Sequence, residues 1–121
     1  MPTPPKAGEL VMTFFHARTT AHMLHLKTRS YAAHKALNDF YDAVIGLTDS
    51  FAEVAQGEYG LIPLPALRYE PAPGGLELME ELAGWLKKNR KQCGDDSHLQ
   101  NIIDELQALV RETQYKLKFL S

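Results

Sequence analysis

Glu58-Tyr59-Gly60-Leu61-Ile62-Pro63-Leu64-Pro65-Ala66-Leu67-Arg68-Tyr69-Glu70-Pro71-Ala72-Pro73-Gly74 is the stretch on which the fold depends. Pro63, Pro65, Pro71 and Pro73 lack backbone donors and fix φ, so no regular helix can run through it. A connection this long without secondary structure of its own is unusual inside a compact domain and calls for a geometric reason. The preceding segment supplies one. Leu37, Phe40, Tyr41, Val44, Leu47, Phe51 and Val54 recur at helical spacing, giving a helix from an N-cap at Ser30 to about Gln56, with Gly57 placed to end it. Such a helix is roughly 40 Å long at ~1.5 Å per residue. An extended segment of about 17 residues reaches at most about 55–60 Å, enough to run back along the whole helix.

Working outward, a first helix follows Pro5, from about Ala7 to Lys27, with Leu10, Val11, Phe14, Phe15, Ala17, Ala21 and Leu24 at helical spacing. A third reads from Gly75 to about Gln92 through Leu78, Met79, Leu82, Trp85 and Leu86, and Gly94 stops it. The fourth opens on Ser97-His98-Leu99-Gln100, which fits a capping box, with Asp95 and Asp96 at its positive end. It continues to about Phe119 through Ile102, Ile103, Leu106, Leu109, Val110 and Leu117. Short connections on either side of one long central crossing predict an all-α single domain over residues 1–121. Its topology is a ferritin-like antiparallel four-helix bundle with a crossover at 58–74 between helices two and three.

The composition is ordinary for a globular chain: 121 residues, 45% apolar, 23% charged, formal net charge −2. That balance gives no electrostatic reason to expect nucleic acid, and no apolar run reaches the roughly 20 residues that span a bilayer. Met1-Pro2-Thr3-Pro4-Pro5 carries no signal-peptide pattern, and Cys93 is alone, so a bacterial cytosol is the expected compartment.

The informative polar residues sit on the first two helices. Val11, Phe15, Arg18, His22 and His25 form one stripe that begins apolar and ends basic and imidazole-bearing. On helix two, Asn38, Asp42, Asp49 and Glu53 fall within about a 60° arc, and His34 lies between that arc and the core face. Imidazole and carboxylate together are the donor set of a divalent iron or zinc site. His22 or His25 can meet His34 across the short turn. Asp49 is about 15 residues beyond His34, roughly 22 Å along the same helix, so a site using all of them needs a second chain. Two such sites would flank a homodimer dyad, with histidines from one subunit and carboxylates from the other.

At these residues the sequence resembles the mini-ferritins, the starvation-induced DNA-protecting ferritin-like proteins. Their intersubunit ferroxidase pattern maps onto His22, His34, Asn38, Asp49 and Glu53, with Asn38 in place of a carboxylate. The resemblance implies a homodimer binding iron or a similar divalent metal at His22, His25, His34, Asp49 and Glu53, with a vestigial ferroxidase activity. Ala21-His22-Met23-Leu24-His25-Leu26 and Ser30-Tyr31-Ala32-Ala33-His34-Lys35-Ala36-Leu37 also resemble a family of small uncharacterised tailed-bacteriophage proteins. That similarity extends to Gln56-Gly57-Glu58-Tyr59-Gly60 and to Leu99 through Glu105, and implies a phage origin. Leu26 departs from the tryptophan that follows the second histidine in that family. Helices three and four are shorter than in the cage-forming members, the proline-rich crossing replaces their short dyad helix, and the N-terminus has no lysine-rich tail, so neither the cage nor DNA protection is carried over.

Other readings stay open at this level. The three histidines could be a hydrogen-bonded cluster at a helix turn, and an inward Arg18 could neutralise Asp49 or Glu53. His98 and Glu105 read as surface residues sharing a face of helix four; His16 has no partner pattern; Trp85 reads as core or interface. Leu61, Ile62, Leu64, Ala66 and Leu67 make the crossing apolar, so it should cover the bundle or be covered by a partner. That motivates an alternative function, a non-enzymatic helical protein binding a host or virion protein. No phosphate loop, cysteine-pair zinc spacing or serine elbow is present, so hydrolase and kinase chemistry have no support.

Overall fold

The computed structural model describes residues 2–121; Met1, which opens the Pro-rich N-terminus, lies outside the described residues. The described chain is all-α, with four helices and no strand: α1 (Ala7–Lys27), α2 (Tyr31–Tyr59), α3 (Gly75–Asn89) and α4 (Ser97–Phe119), with a 3-10 turn at Arg90–Cys93. None of these helices is long and apolar enough to cross a membrane.

Local chemistry sets the helix ends. Ser30 caps α2, its hydroxyl accepting from the Ala33 N–H at 3.2 Å. The expected stop at Gly57 is not used. One glycine inside a helix costs only about 1 kcal/mol, and the last turn is held from outside by the Tyr59 hydroxyl, which donates to Asp96. The chain leaves α2 at Gly60, whose φ of 87° belongs to the left-handed region that glycine occupies without a Cβ clash. The expected capping box is not formed either. Asp96 is the N-cap of α4 and makes no side-chain cap bond. The Gln100 amide turns back to donate to the Arg90 and Gly94 carbonyls at 2.9 and 2.7 Å, closing the connection between α3 and α4. α3 ends at Asn89, before the expected Gln92, and tightens into the 3-10 turn, where the Cys93 thiol reaches the Asn89 carbonyl at 3.3 Å.

The helices pack α1 on α2, α2 on α4, α4 on α3 and α3 on α1. Between them lie Leu10, Val11, Phe14, Phe40, Val44, Phe51, Leu78, Met79, Leu86, Leu99, Ile103, Leu106 and Val110, all essentially inaccessible to solvent. Trp85 is half-buried, its indole N–H donating to Glu9 Oε2 at 3.0 Å across α1 and α3. Asp39, near the start of α2, meets Lys116, near the end of α4, at 3.4 Å.

The segment between α2 and α3 tracks α1. Gly8 lies so close to the Pro63 carbonyl that a Cβ there would overlap it. Further along, Tyr69 stacks on His16 at 4.5 Å and its hydroxyl is hydrogen-bonded to that of Thr20. Pro71 and Pro73 then line a groove with Thr20, Leu24 and Lys27. Ile62 and Ala72 are buried, but Leu61 and Leu64 remain 85% and 52% exposed, so the apolar crossing covers the bundle with only some of its side chains.

Candidate functional site

The turn between α1 and α2 carries the most unusual polar arrangement in the chain. A helix leaves its last carbonyls without intrahelical donors. In α1 the Leu24 carbonyl takes the Thr28 N–H, and the His25 carbonyl is taken by His34 Nδ1 at 2.9 Å. The reverse bond also forms, with His25 Nδ1 lying 2.8 Å from the His34 carbonyl. A carbonyl can only accept, so both Nδ1 atoms carry protons, and the neutral form of either ring then has its lone pair on Nε2. The two rings stack at 3.7 Å, with His25 buried and His34 half-buried.

His22 extends this cluster without joining the hydrogen bonds. It meets His25 edge-on at 5.8 Å and stacks on Tyr41 at 4.3 Å. Arg18 lies over the same Tyr41 ring at 6.0 Å, away from the inward pairing with Asp49 or Glu53 considered from sequence. The Tyr41 hydroxyl donates to Asn38 Oδ1 at 2.7 Å, while Asn38 Nδ2 donates to Asp42 at 3.1 Å. An aspartate at position 38 could accept from Tyr41 but could not donate to Asp42. This local network therefore uses both ends of the Asn38 amide.

Asp49 and Glu53 lie further along the unbroken α2, both exposed. A hydrogen bond with Asp49, then the Asp49 charge, then some burial push Glu53 above the ordinary glutamate range. No Lys, Arg or His among the described residues forms an ion pair with either carboxylate. Within one chain the structure thus gathers His22, His25 and His34 and leaves Asp49 and Glu53 elsewhere on the α2 surface.

A second cluster was not anticipated from sequence. Glu58, Asp96 and His98 bring three ligand atoms within 4.8 Å of one another, the group of this kind found among the described residues. His98 Nε2 lies 2.8 Å from Glu58 Oε1, so His98 turns toward α2 and not along α4 toward Glu105. The signal that could have found it was the pairing of α2 with α4, which brings the end of one to the start of the other. Treating Glu58 as loop, beyond a helix stopped at Gly57, concealed it.

No curated protein and no solved structure matches the chain. The profile of a family of unknown function, DUF5856, matches residues 25–117, from His25 at the end of α1 through nearly all of α4. A match over more than half its length means that the chain belongs to that family.

Proposed function

We propose that the protein is a homodimer of ferritin-like chains that binds iron or a similar divalent metal at two sites across its dyad. His22 and His34 supply nitrogen from one subunit, and Asp49 and Glu53 supply oxygen from the other. The observation that carries this reading is the reciprocal bonding of His25 and His34. A hydrogen bond from one ring nitrogen to a carbonyl fixes the tautomer and orients the other nitrogen, the pattern that accompanies metal-binding imidazoles. Buried His25 then acts as the group that holds His34 in place.

The carboxylates support the same reading. Two like charges one turn apart, with Glu53 already raised by Asp49, are relieved by a cation. Since their own chain provides none, a dyad-related chain is the natural source of the remaining ligands. The ferritin-like antiparallel arrangement is supported by the contacts of Asp39 with Lys116 and Tyr59 with Asp96, which set α2 and α4 in opposite directions. It is supported too by the crossing segment that follows α1 from Gly8 to Lys27. A bacteriophage origin rests on sequence resemblance alone. With Asn38 engaged as an amide, the site has one carboxylate fewer than the ferroxidase pattern, so we propose metal binding and not turnover.

Anaerobic Fe(II) titration of metal-stripped protein tests this by calorimetry. Saturation at about two irons per dimer is expected. Asp49→Ala should weaken binding at least about tenfold, although Asp49 is remote from His34 in its own chain. Unchanged affinity in Asp49→Ala would defeat the shared site.

A second reading is favoured by a separate observation, the exposure of Leu61 and Leu64 on the crossing segment. Under it the protein is a non-enzymatic helical module that docks a host or virion protein through this apolar edge. A saturable partner from host lysate, retained by Asp49→Ala and lost on Leu61→Asp with Leu64→Asp, would favour it over metal binding.

A further inference from the structure

We propose that Glu58, Asp96 and His98 form a divalent-cation site of the zinc class, separate from the dyad, that ties the end of α2 to the start of α4. This inference does not depend on the dyad reading.

Three donors of the right chemistry converge from two elements distant in sequence, one imidazole and two carboxylates within 4.8 Å of one another. Imidazole nitrogen with carboxylate oxygen suits zinc and its first-row neighbours, and three protein ligands leave coordination positions for water. The backbone beneath the donors is fixed. Glu58 lies in the last turn of α2, which closes with the Gly60 N–H on the Gln56 carbonyl at 2.8 Å. Asp96 is held at the α4 N-cap, its carbonyl accepting from the Leu99 and Gln100 N–H groups at 3.1 and 3.0 Å.

The charge at this spot is the second observation. The ion pairs of the described chain join Lys6 to Glu9, Arg90 to Asp104, and Lys116 to Asp39 and Glu112. None brings a lysine or arginine to Glu58 or Asp96, and His98 is the single basic partner. The two carboxylates of Glu58 and Asp96 carry the charge that one divalent cation cancels. Tyr59, next to Glu58 in the last turn of α2, also reaches this spot. Its hydroxyl donates to Asp96 Oδ1 and orients the carboxylate, the arrangement that outer groups provide around metal ligands.

The test is Zn²⁺ titration of the full chain, by calorimetry and by thermal melting, on wild type, His98→Ala, Glu58→Gln and Asp49→Ala. Glu58 and His98 are exposed, so their variants should keep the helical circular-dichroism spectrum. The expected result is about one Zn²⁺ per chain at this site, counted in Asp49→Ala, with a raised melting temperature. This site should be retained in Asp49→Ala and weakened at least about tenfold in both His98→Ala and Glu58→Gln. Unchanged Zn²⁺ affinity in both of those variants overturns the proposal. Zinc binding that disappears in Asp49→Ala also overturns it, and assigns the metal to the dyad instead.

Discussion

At the residue scale, His25 and His34 commit one nitrogen each to the other's backbone, so neither substitution is a simple deletion. His34→Ala removes a hydrogen bond, leaves the His25 carbonyl at a helix end without its donor and loses a ring stack. We expect a loss of about 1–3 kcal/mol, with His25→Ala similar. The double variant should lose clearly less than the sum of the two, with a coupling above about 0.5 kcal/mol in urea denaturation. Strict additivity would show that the ring stack adds nothing beyond the two side chain–backbone hydrogen bonds. Cys93 makes a different prediction. Burial, with Glu9 adding to it, pushes its thiol from 9.0 up to about 12. The folded state therefore keeps a proton that the unfolded state releases, so this contribution is fully present below pH 9 and is lost as pH rises toward 12. Tyr59 acts in the same direction between 10.0 and about 12. Urea midpoints should fall across that alkaline window, and Cys93→Ala and Tyr59→Phe should each flatten the fall. A native thiol reagent should label Cys93 only as fast as the chain opens. The three histidines were readable as a cluster at the turn because both helices end there. Their hydrogen-bond pattern was not, since it depends on which carbonyls the turn leaves free.

At the element scale, the crossing segment carries the clearest lesson. Four prolines declared it non-helical, and the length of α2 gave it a path. Its attachment points, Gly8 against Pro63 and His16 against Tyr69, had no sequence signal, because a glycine inside a helix and a histidine without a pattern suggest nothing by themselves. Gly8→Ala should therefore be costly despite alanine's better helix propensity. Its Cβ would meet a backbone carbonyl, which cannot rotate away as a side chain can. We expect destabilisation of about 1–3 kcal/mol, read as a lower urea midpoint. A variant as stable as wild type would show that the crossing can lift from α1 freely. The ends of α2 and α4 were misread for a related reason. Gly57 and Ser97-His98-Leu99-Gln100 are sound local signals, but Tyr59 on Asp96 and Gln100 on the Arg90–Gly94 turn outweigh them. Tertiary contacts override local preference where two elements meet, and there the unanticipated Glu58–Asp96–His98 cluster also lies.

At the scale of the whole molecule, the open question is what faces the exposed side of α2. Gly46, Asp49 and Glu53 share that side, and a Cβ on Gly46 would meet nothing within 4 Å in the chain itself. The same is true of Gly84 on α3. For a chain whose α2 face meets only water, Gly46→Ala and Gly84→Ala should each stabilise by roughly 0.5–1 kcal/mol through helix propensity. The proposed dyad separates them. It sets α2 against α2, so an added methyl at Gly46 falls in the subunit contact while one at Gly84 does not. We therefore expect Gly84→Ala to raise the denaturation midpoint without changing association, and Gly46→Ala to weaken the dimer in sedimentation equilibrium. If both variants stabilise alike and neither changes association, α2 has no dyad partner, and Asp49 and Glu53 are a solvated carboxylate pair. The sequence carried the ligand types for a shared site, but a partner's position is never written in one chain's periodicity. Paired glycine substitutions on two exposed helices therefore test the dyad without disturbing the metal ligands themselves.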